Sequence, residues 1–265
     1  MKELSSDDMQ SIIETIKVSH TGVETVCKTL AAEVPFSVCA NGTELATLMS
    51  SPSDLKELAY GFLLSSGFVA SQENIIGYHF NKEQWTAEVK LKHMPEKSEF
   101  GKKLYSAGCG SAVIYFKGSD LPERLPAEKG MRVAASKIHQ LLKWFKEHSR
   151  KDKLSGGLHT ACMSLAGEQP DNIYYDVGRH NAVDKVLGSA LCRDFNFEQL
   201  IILSTGRISS EIVYKAGRAG VPMIICLGTP TRHAVHLSST MGITLIGNAK
   251  GNHFLVYTEQ ERVSV

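Results

Sequence analysis

Apolar positions along this chain change period at about its midpoint. From residue 200 onward, short apolar runs alternate with helical stripes. Residues 200–204 lead to a helix from about Ser209, and residues 222–226 to a helix from about Thr231. Two further strands follow, the first over residues 243–246. Runs of four or five apolar residues bounded by glycine and polar residues read as buried strands. Their alternation with helices predicts a partly parallel sheet with helices on its faces. Just upstream, residues 159–165 and 172–176 pattern as a hairpin after Gly156-Gly157, and a helix starts near Asn181. Ile138, Leu141, Leu142 and Phe145 share one side of a helix that begins near Ser136 and ends before Lys151.

The first half follows another plan. Residues 36–40 and 44–49 flank Asn41-Gly42, a strong hairpin-turn signal. Leu55, Leu58, Ala59, Phe62 and Leu63 form one apolar helical face. Asp54 and Glu57 are spaced as a capping box, and Gly67 marks the stop. Residues 77–80 and 85–91 pattern as a second hairpin across Asn81-Lys82. A polar stretch over 93–103 runs into Ser106-Ala107-Gly108-Cys109-Gly110-Ser111 and an apolar strand over 113–116. Residues 118–130, with Pro122 and Pro126, are the candidate boundary. The expectation is therefore an N-terminal α+β domain over 1–130 and an α/β domain over 131–265.

Charge narrows the partners. With 29 Lys+Arg against 28 Asp+Glu the formal net charge is +1, so a bulk electrostatic grip on nucleic acid or a membrane surface is not expected. No apolar run approaches the roughly 20 residues that span a bilayer. The start, MKELSSDDMQ, lacks the apolar core of a signal peptide. Six cysteines without close pairing fit a reducing compartment. A cytoplasmic protein is expected.

Candidate chemistry gathers where strands end. Residues 175–188, YDVGRHNAVDKVLG, break from a strand into Gly178-Arg179-His180-Asn181. Similar breaks follow at Thr205-Gly206-Arg207, at Gly228-Thr229-Pro230-Thr231-Arg232 and at Gly247-Asn248-Ala249-Lys250-Gly251. In an open α/β sheet such loops lie along one edge, where ligands bind. Glycines, basic or hydroxyl side chains and helix N-termini suit phosphates. Arg179 and Arg207 each follow a glycine and can take a phosphate in bidentate fashion, or else pair with Asp176 or Asp184. His159 and His180 can donate to a ligand or act as acids, or simply make structural hydrogen bonds. A local His180–Asp184 pair is one such possibility. Ser209 and Thr231 read as helix N-caps.

Cys109 lies between small residues, near Lys102 and Lys103. Nearby N–H groups and cations lower a thiol from about 8.5 toward neutrality. The alternative is a glycine turn with an incidental cysteine. Cys27, Cys39, Cys162, Cys192 and Cys226 fall in apolar segments and read as small buried hydrophobes. No CxxC pair and no deaminase-type His-x-Glu with Pro-Cys-x-x-Cys occurs, so no zinc site is expected.

Ordered motifs covering nearly the whole chain carry a family resemblance. They are NGTELATLMSSPSDLKELAYGFLLSSGF, GCGSA, GGLHTA, DVGRHNAVDKVLG, STGRISSEIVYKA, GTPTRHAVHLSSTMGITLIG and FLVYT. The chain resembles the formate dehydrogenase accessory proteins, FdhD. The resemblance implies a cytoplasmic, homodimeric sulfur carrier. Such a protein takes sulfur from a cysteine desulfurase as a persulfide and passes it to the molybdenum of bis(molybdopterin guanine dinucleotide), bound as a substrate, before that cofactor enters formate dehydrogenase. A guanine nucleotide would be a partial mimic of that substrate. The resemblance also implies a cytidine-deaminase-like three-layer α/β fold for the second domain, without its zinc site. Cys109 would carry the persulfide. Arg179, His180, Arg207, Thr229 and the segment Asn248, Ala249, Lys250, Gly251, Asn252 and His253 would hold the cofactor. Ala112 stands where the family usually has a second cysteine, Tyr175 where it has an acidic residue, and Asn248 and Lys250 where an aromatic and an arginine are common. A chaperone that delivers the cofactor without sulfurating it is the other reading. A nucleotide-acting enzyme of deaminase-like fold is a third.

Overall fold

The computed structural model describes residues 10–95, 102–105, 113–116, 130–149, 157–250 and 253–264. A long antiparallel hairpin, β1 (Gln10–Ser19) and β2 (Gly22–Ala31), comes first and forms a two-stranded sheet of its own. It is absent from the expectations above, although Ile12, Ile16 and Val18 alternate with polar residues as a strand requires.

β3 (Val34–Ala40) and β4 (Thr43–Ser50) pair across Asn41 and Gly42, both left-handed at φ 48° and 77°. That is the turn Asn-Gly favours. α1 (Leu55–Ser66) ends at Gly67, φ 80°, whose N–H reaches the Leu63 and Leu64 carbonyls. The expected capping box is not made. Asp54 is itself left-handed, φ 49°, and its side chain caps nothing, because a side-chain cap needs extended backbone at that position. β5 (Ile75–Asn81) and β6 (Thr86–Leu91) form the second hairpin, and β6 joins β3 in parallel, giving a four-stranded sheet ordered β4-β3-β6-β5. β7 (Lys102–Tyr105), which starts at the end of the stretch read as polar, pairs with β8 (Val113–Phe116). Cys109 lies outside the described residues, as does the expected boundary apart from Gly130.

β9 (Val133–Ala134) leads into α2 (Ala135–His148). Then come β10 (His159–Leu165), β11 (Tyr174–Asp176), α3 (Arg179–Cys192), β12 (Leu200–Ser204), α4 (Ser210–Arg218), β13 (Met223–Cys226) and α5 (Arg232–Met241). β14 (Thr244–Lys250), β15 (His253–Val256) and β16 (Val263–Ser264) close the chain. The main sheet is ordered β11-β10-β12-β13-β14-β15. β12, β13 and β14 run parallel, and β10 runs against both β11 and β12. The partly parallel sheet read from the alternation is thus present.

Alternate residues of this sheet feed two cores. Leu200, Ile202 and Ile224 face α3, α4 and α5, while Ile201, Leu203 and Ile225 face Ile138, Leu142 and Phe145 of α2. The first core continues through α3 to α1 and the four-stranded sheet, taking in Phe36, Val38, Phe62 and Leu63. Residues on both sides of the expected boundary therefore share one core. α3 is buried all round, from His180 to Leu191. Its contact with α1 is backbone-close: a Cβ on Gly61 would sit 1.8 Å from the Asp184 carbonyl oxygen, and one on Gly188 1.8 Å from that of Glu57. A helix sandwiched this way must satisfy its polar side chains internally.

Candidate functional site

The sheet directions decide which loops meet. His159, which opens β10, lies opposite Asp176, which ends β11, and Ala161 lies opposite Ser204, which ends β12. The ends of β11, β12, β13 and β14 therefore lie on one edge, with the start of β10 among them. Backbone hydrogen bonds tie neighbouring loops together. Thr205 N–H donates to the Thr160 carbonyl, Leu227 N–H to Ser204, Thr231 N–H to Ile208 and Asn248 N–H to Gly228. Arg179, His180, Arg207, Thr229 and Asn248 are brought to this edge as the loop spacing predicts.

Arg179 packs over the 205–209 loop. Gly206 makes this possible, because a Cβ there would sit 3.1 Å from Arg179 Cβ and 3.6 Å from His159 Nδ1. Among the described residues Arg179 Nε is buried without a hydrogen-bond partner, and so is Asn248 Oδ1. Buried polar atoms are normally paired. Arg207 and Thr229 are exposed. His159 lies beside Arg179 and His180. Burial, then Arg179 and His180, push its imidazole below its ordinary value, with Asp176 opposing.

Three expectations need correction. His180 does not pair with Asp184. Its Nε2 sits 2.8 Å from Glu211 Oε2 and 3.3 Å from Ser209 Oγ. The hydrogen bond from His180 holds the Glu211 carboxyl below its usual range. Asp184 instead takes Lys215 Nζ at 2.6 Å and the Ser65 hydroxyl at 2.8 Å, and Asp176 takes Lys185 Nζ at 2.8 Å, all fully buried. Neither aspartate is paired with Arg179 or Arg207; both brace α3 against its neighbours. Second, β14 runs on to Lys250, so Asn248 and Ala249 belong to a strand and not to a loop after it. The register with β15 shifts between Gly247 and Lys250, and Asn248 is left-handed, φ 52°. Such a bulge re-aims a side chain. Ala249 is buried facing α2, and His253 is exposed on β15. Gly251 and Asn252 lie outside the described residues. Third, Cys27 is exposed and Cys39 and Cys192 are half-buried, against the burial expected of all five.

Of the two expected caps, Thr231 accepts from Ala234 N–H, whereas Ser209 precedes α4 without a side-chain cap. Its hydroxyl faces His180 instead. Glu211 is the residue at this edge that sequence reasoning missed. Its position in the first turn of α4, seven residues from the strand end at Ser204, is the signal that could have found it.

Burial makes four of the other thiols poor nucleophiles. Burial pushes the Cys162 thiol up strongly and that of Cys226 to about 12, and it also raises Cys39 and Cys192. Among the described residues no group of three or more His, Cys, Asp or Glu is placed to hold a metal ion. No helix among them is long and apolar enough to cross a membrane.

Comparison with known proteins agrees with this architecture. The model of the FdhD/NarQ family matches residues 31–264. The sulfur carrier protein FdhD of Geobacillus kaustophilus is 32% identical over 238 residues, 89% of this chain and 90% of that protein. Its counterpart from Bacillus pumilus is 32% identical over 242 residues, 90% of this chain and 92% of that protein. The crystal structure of a candidate formate dehydrogenase accessory protein from Desulfotalea psychrophila has the same fold. It superposes with a TM-score of 0.77 at 22% identity, covering 97% of this chain and all of that one.

Proposed function

The chain belongs to the FdhD/NarQ family, and from that premise we propose that it is a sulfur carrier serving formate dehydrogenase. In this reading Cys109 takes a sulfane sulfur from a cysteine desulfurase. The protein then passes it to the molybdenum of bis(molybdopterin guanine dinucleotide), held as substrate along the strand-end edge of a cytoplasmic homodimer. What carries the reading is the match to sulfur carrier proteins over about nine-tenths of both chains.

The chemistry is a thiol exchange. The Cys109 thiolate attacks the terminal sulfur of the desulfurase persulfide, the donor S–S bond breaks as the new one forms, and the desulfurase thiolate leaves. Release of that sulfur as sulfide takes two electrons. A second loop cysteine would supply them by closing a disulfide. With Ala112 in that place, an external thiol must do so. Two competing thiols are disfavoured relative to Cys109, since burial keeps Cys162 and Cys226 protonated. The substrate reading is supported by the edge itself, where Arg179 Nε and Asn248 Oδ1 lack partners among the described residues, beside the exposed Arg207 and Thr229. Two pyrophosphates on one ligand account for anion-friendly chemistry in several loops of a chain whose net charge is +1.

The test is direct. Incubated with a cysteine desulfurase and cysteine, the protein should gain one sulfur, located on Cys109 by peptide mass spectrometry and absent from Cys109→Ala. An unmodified Cys109, under conditions that load a two-cysteine relative, would leave a cofactor-delivering chaperone as the function.

A further inference from the structure

We propose that Glu211 is a positioning residue for the anion-binding edge, fixing the first turn of α3 through His180 and thereby holding Arg179 over Gly206. The proposal rests on the reading above, in which this edge takes a nucleotide-bearing substrate.

The geometry is a bridge between two loops. Glu211 lies in the first turn of α4, after β12, and His180 lies in the first turn of α3, after β11. β10 separates those strands in the sheet. The 2.8 Å contact between His180 Nε2 and Glu211 Oε2 therefore spans the start of β10, where His159 sits. The His180 side chain is 4% exposed and that of Glu211 25%. A short hydrogen bond to an ionised carboxylate at such a place is strong and directional. Its only described companion on that nitrogen is the longer Ser209 contact at 3.3 Å.

The basic groups facing Glu211 sort themselves by partner. They are His180, Arg179 and Lys215. Lys215 is spent on Asp184 and Ser65, and His180 on Glu211 itself. Arg179, adjacent to His180 in the chain, keeps a buried Nε–H with no hydrogen-bond partner among the described residues. Its place is set by what fixes His180. A simpler electrostatic view makes the opposite prediction, because a carboxylate beside an anion site repels the ligand and its removal would tighten binding.

The experiment uses the full chain and guanosine diphosphate, titrated calorimetrically. Glu211→Ala should weaken binding about 10-fold, while Glu211→Gln, whose amide oxygen still accepts, stays within about 3-fold. In an Arg179→Ala background, Glu211→Ala should change affinity by less than about 2-fold, as residues acting through one another are non-additive. Tighter binding by Glu211→Ala, or a full effect retained without Arg179, overturns the proposal. A second measurement needs no ligand. The Arg179 Nε–H proton should exchange slowly in the NMR spectrum of the wild type and of Glu211→Gln, and be lost or shifted in Glu211→Ala. Failure of the wild type to bind the nucleotide counts against the substrate reading, whereas an unchanged Arg179 signal in Glu211→Ala overturns the positioning role.

Discussion

At the scale of single residues, the charged groups of this molecule fall into two kinds. Lys185–Asp176 and Lys215–Asp184 are sealed pairs whose removal would leave an uncompensated buried charge. His159 is different: it is half-buried beside Arg179 and His180, and burial first, then those neighbours, favour its neutral form. The sign of its effect on stability follows. A folded-state value below the ordinary 6.5 means that the stabilising contribution is complete above about 6.5 and is lost as the pH falls through the lowered value. The Glu211 carboxyl is also depressed, from 4.5, so its contribution disappears in a separate, more acidic window. Thermal midpoints measured between pH 7 and 5 should therefore fall for the wild type and fall less steeply for His159→Gln. Equal slopes would show that His159 is not held neutral. These partners also mark the limit of sequence reading. That DVGRHNAVDKVLG is rich in chemistry is plain from its residues. Which of its charges stay at the strand-end edge and which brace α3 depends on Lys215 and Ser65, and chain spacing does not disclose residues so distant.

Elements were legible wherever local signals and packing agree. The Asn41-Gly42 turn, the end of α1 at Gly67 and the β12, β13 and α5 segments lie where periodicity and glycine place them. The register shift that keeps Asn248 and Ala249 within β14 is tertiary, set by pairing with β15, and no local residue announces it. The two glycines at the α1–α3 crossing are another tertiary feature. Gly188 reads as a poor helix residue, yet its missing Cβ is what lets the helices touch. Gly188→Ala and Gly61→Ala should each destabilise by at least about 3 kcal/mol or prevent folding, since the clash is with backbone and an overpacked core of this kind relaxes by moving whole elements. Gly42→Ala, left-handed at φ 77° but with nothing within 4 Å, should cost only about 1 kcal/mol. Urea midpoints of the three variants check this. Similar losses at all three would mean that conformation and not contact governs the crossing.

Over the whole molecule, stability should grade from the paired sheets inward. β12 and β13 are flanked on both edges by strands and on both faces by helices, so their amides open only when the chain unfolds globally. The β1–β2 hairpin is the opposite case. Among the described residues its two strands pair only with each other, and Ile12, Val18 and Val23 are 75%, 75% and 68% exposed on one face. A two-stranded ribbon with an uncovered apolar face is marginal on its own. In hydrogen–deuterium exchange of the isolated protein, amides of residues 12–29 should exchange at least about 100-fold faster than those of 200–204, the separation expected when local opening replaces global unfolding. Dilution gives the decisive comparison. Fast exchange at every protein concentration means that the hairpin stands free. Protection that appears only as concentration rises would mean that the Ile12, Ile16, Val18 and Val23 face is buried between copies of the chain, and that the hairpin draws its stability from the assembly.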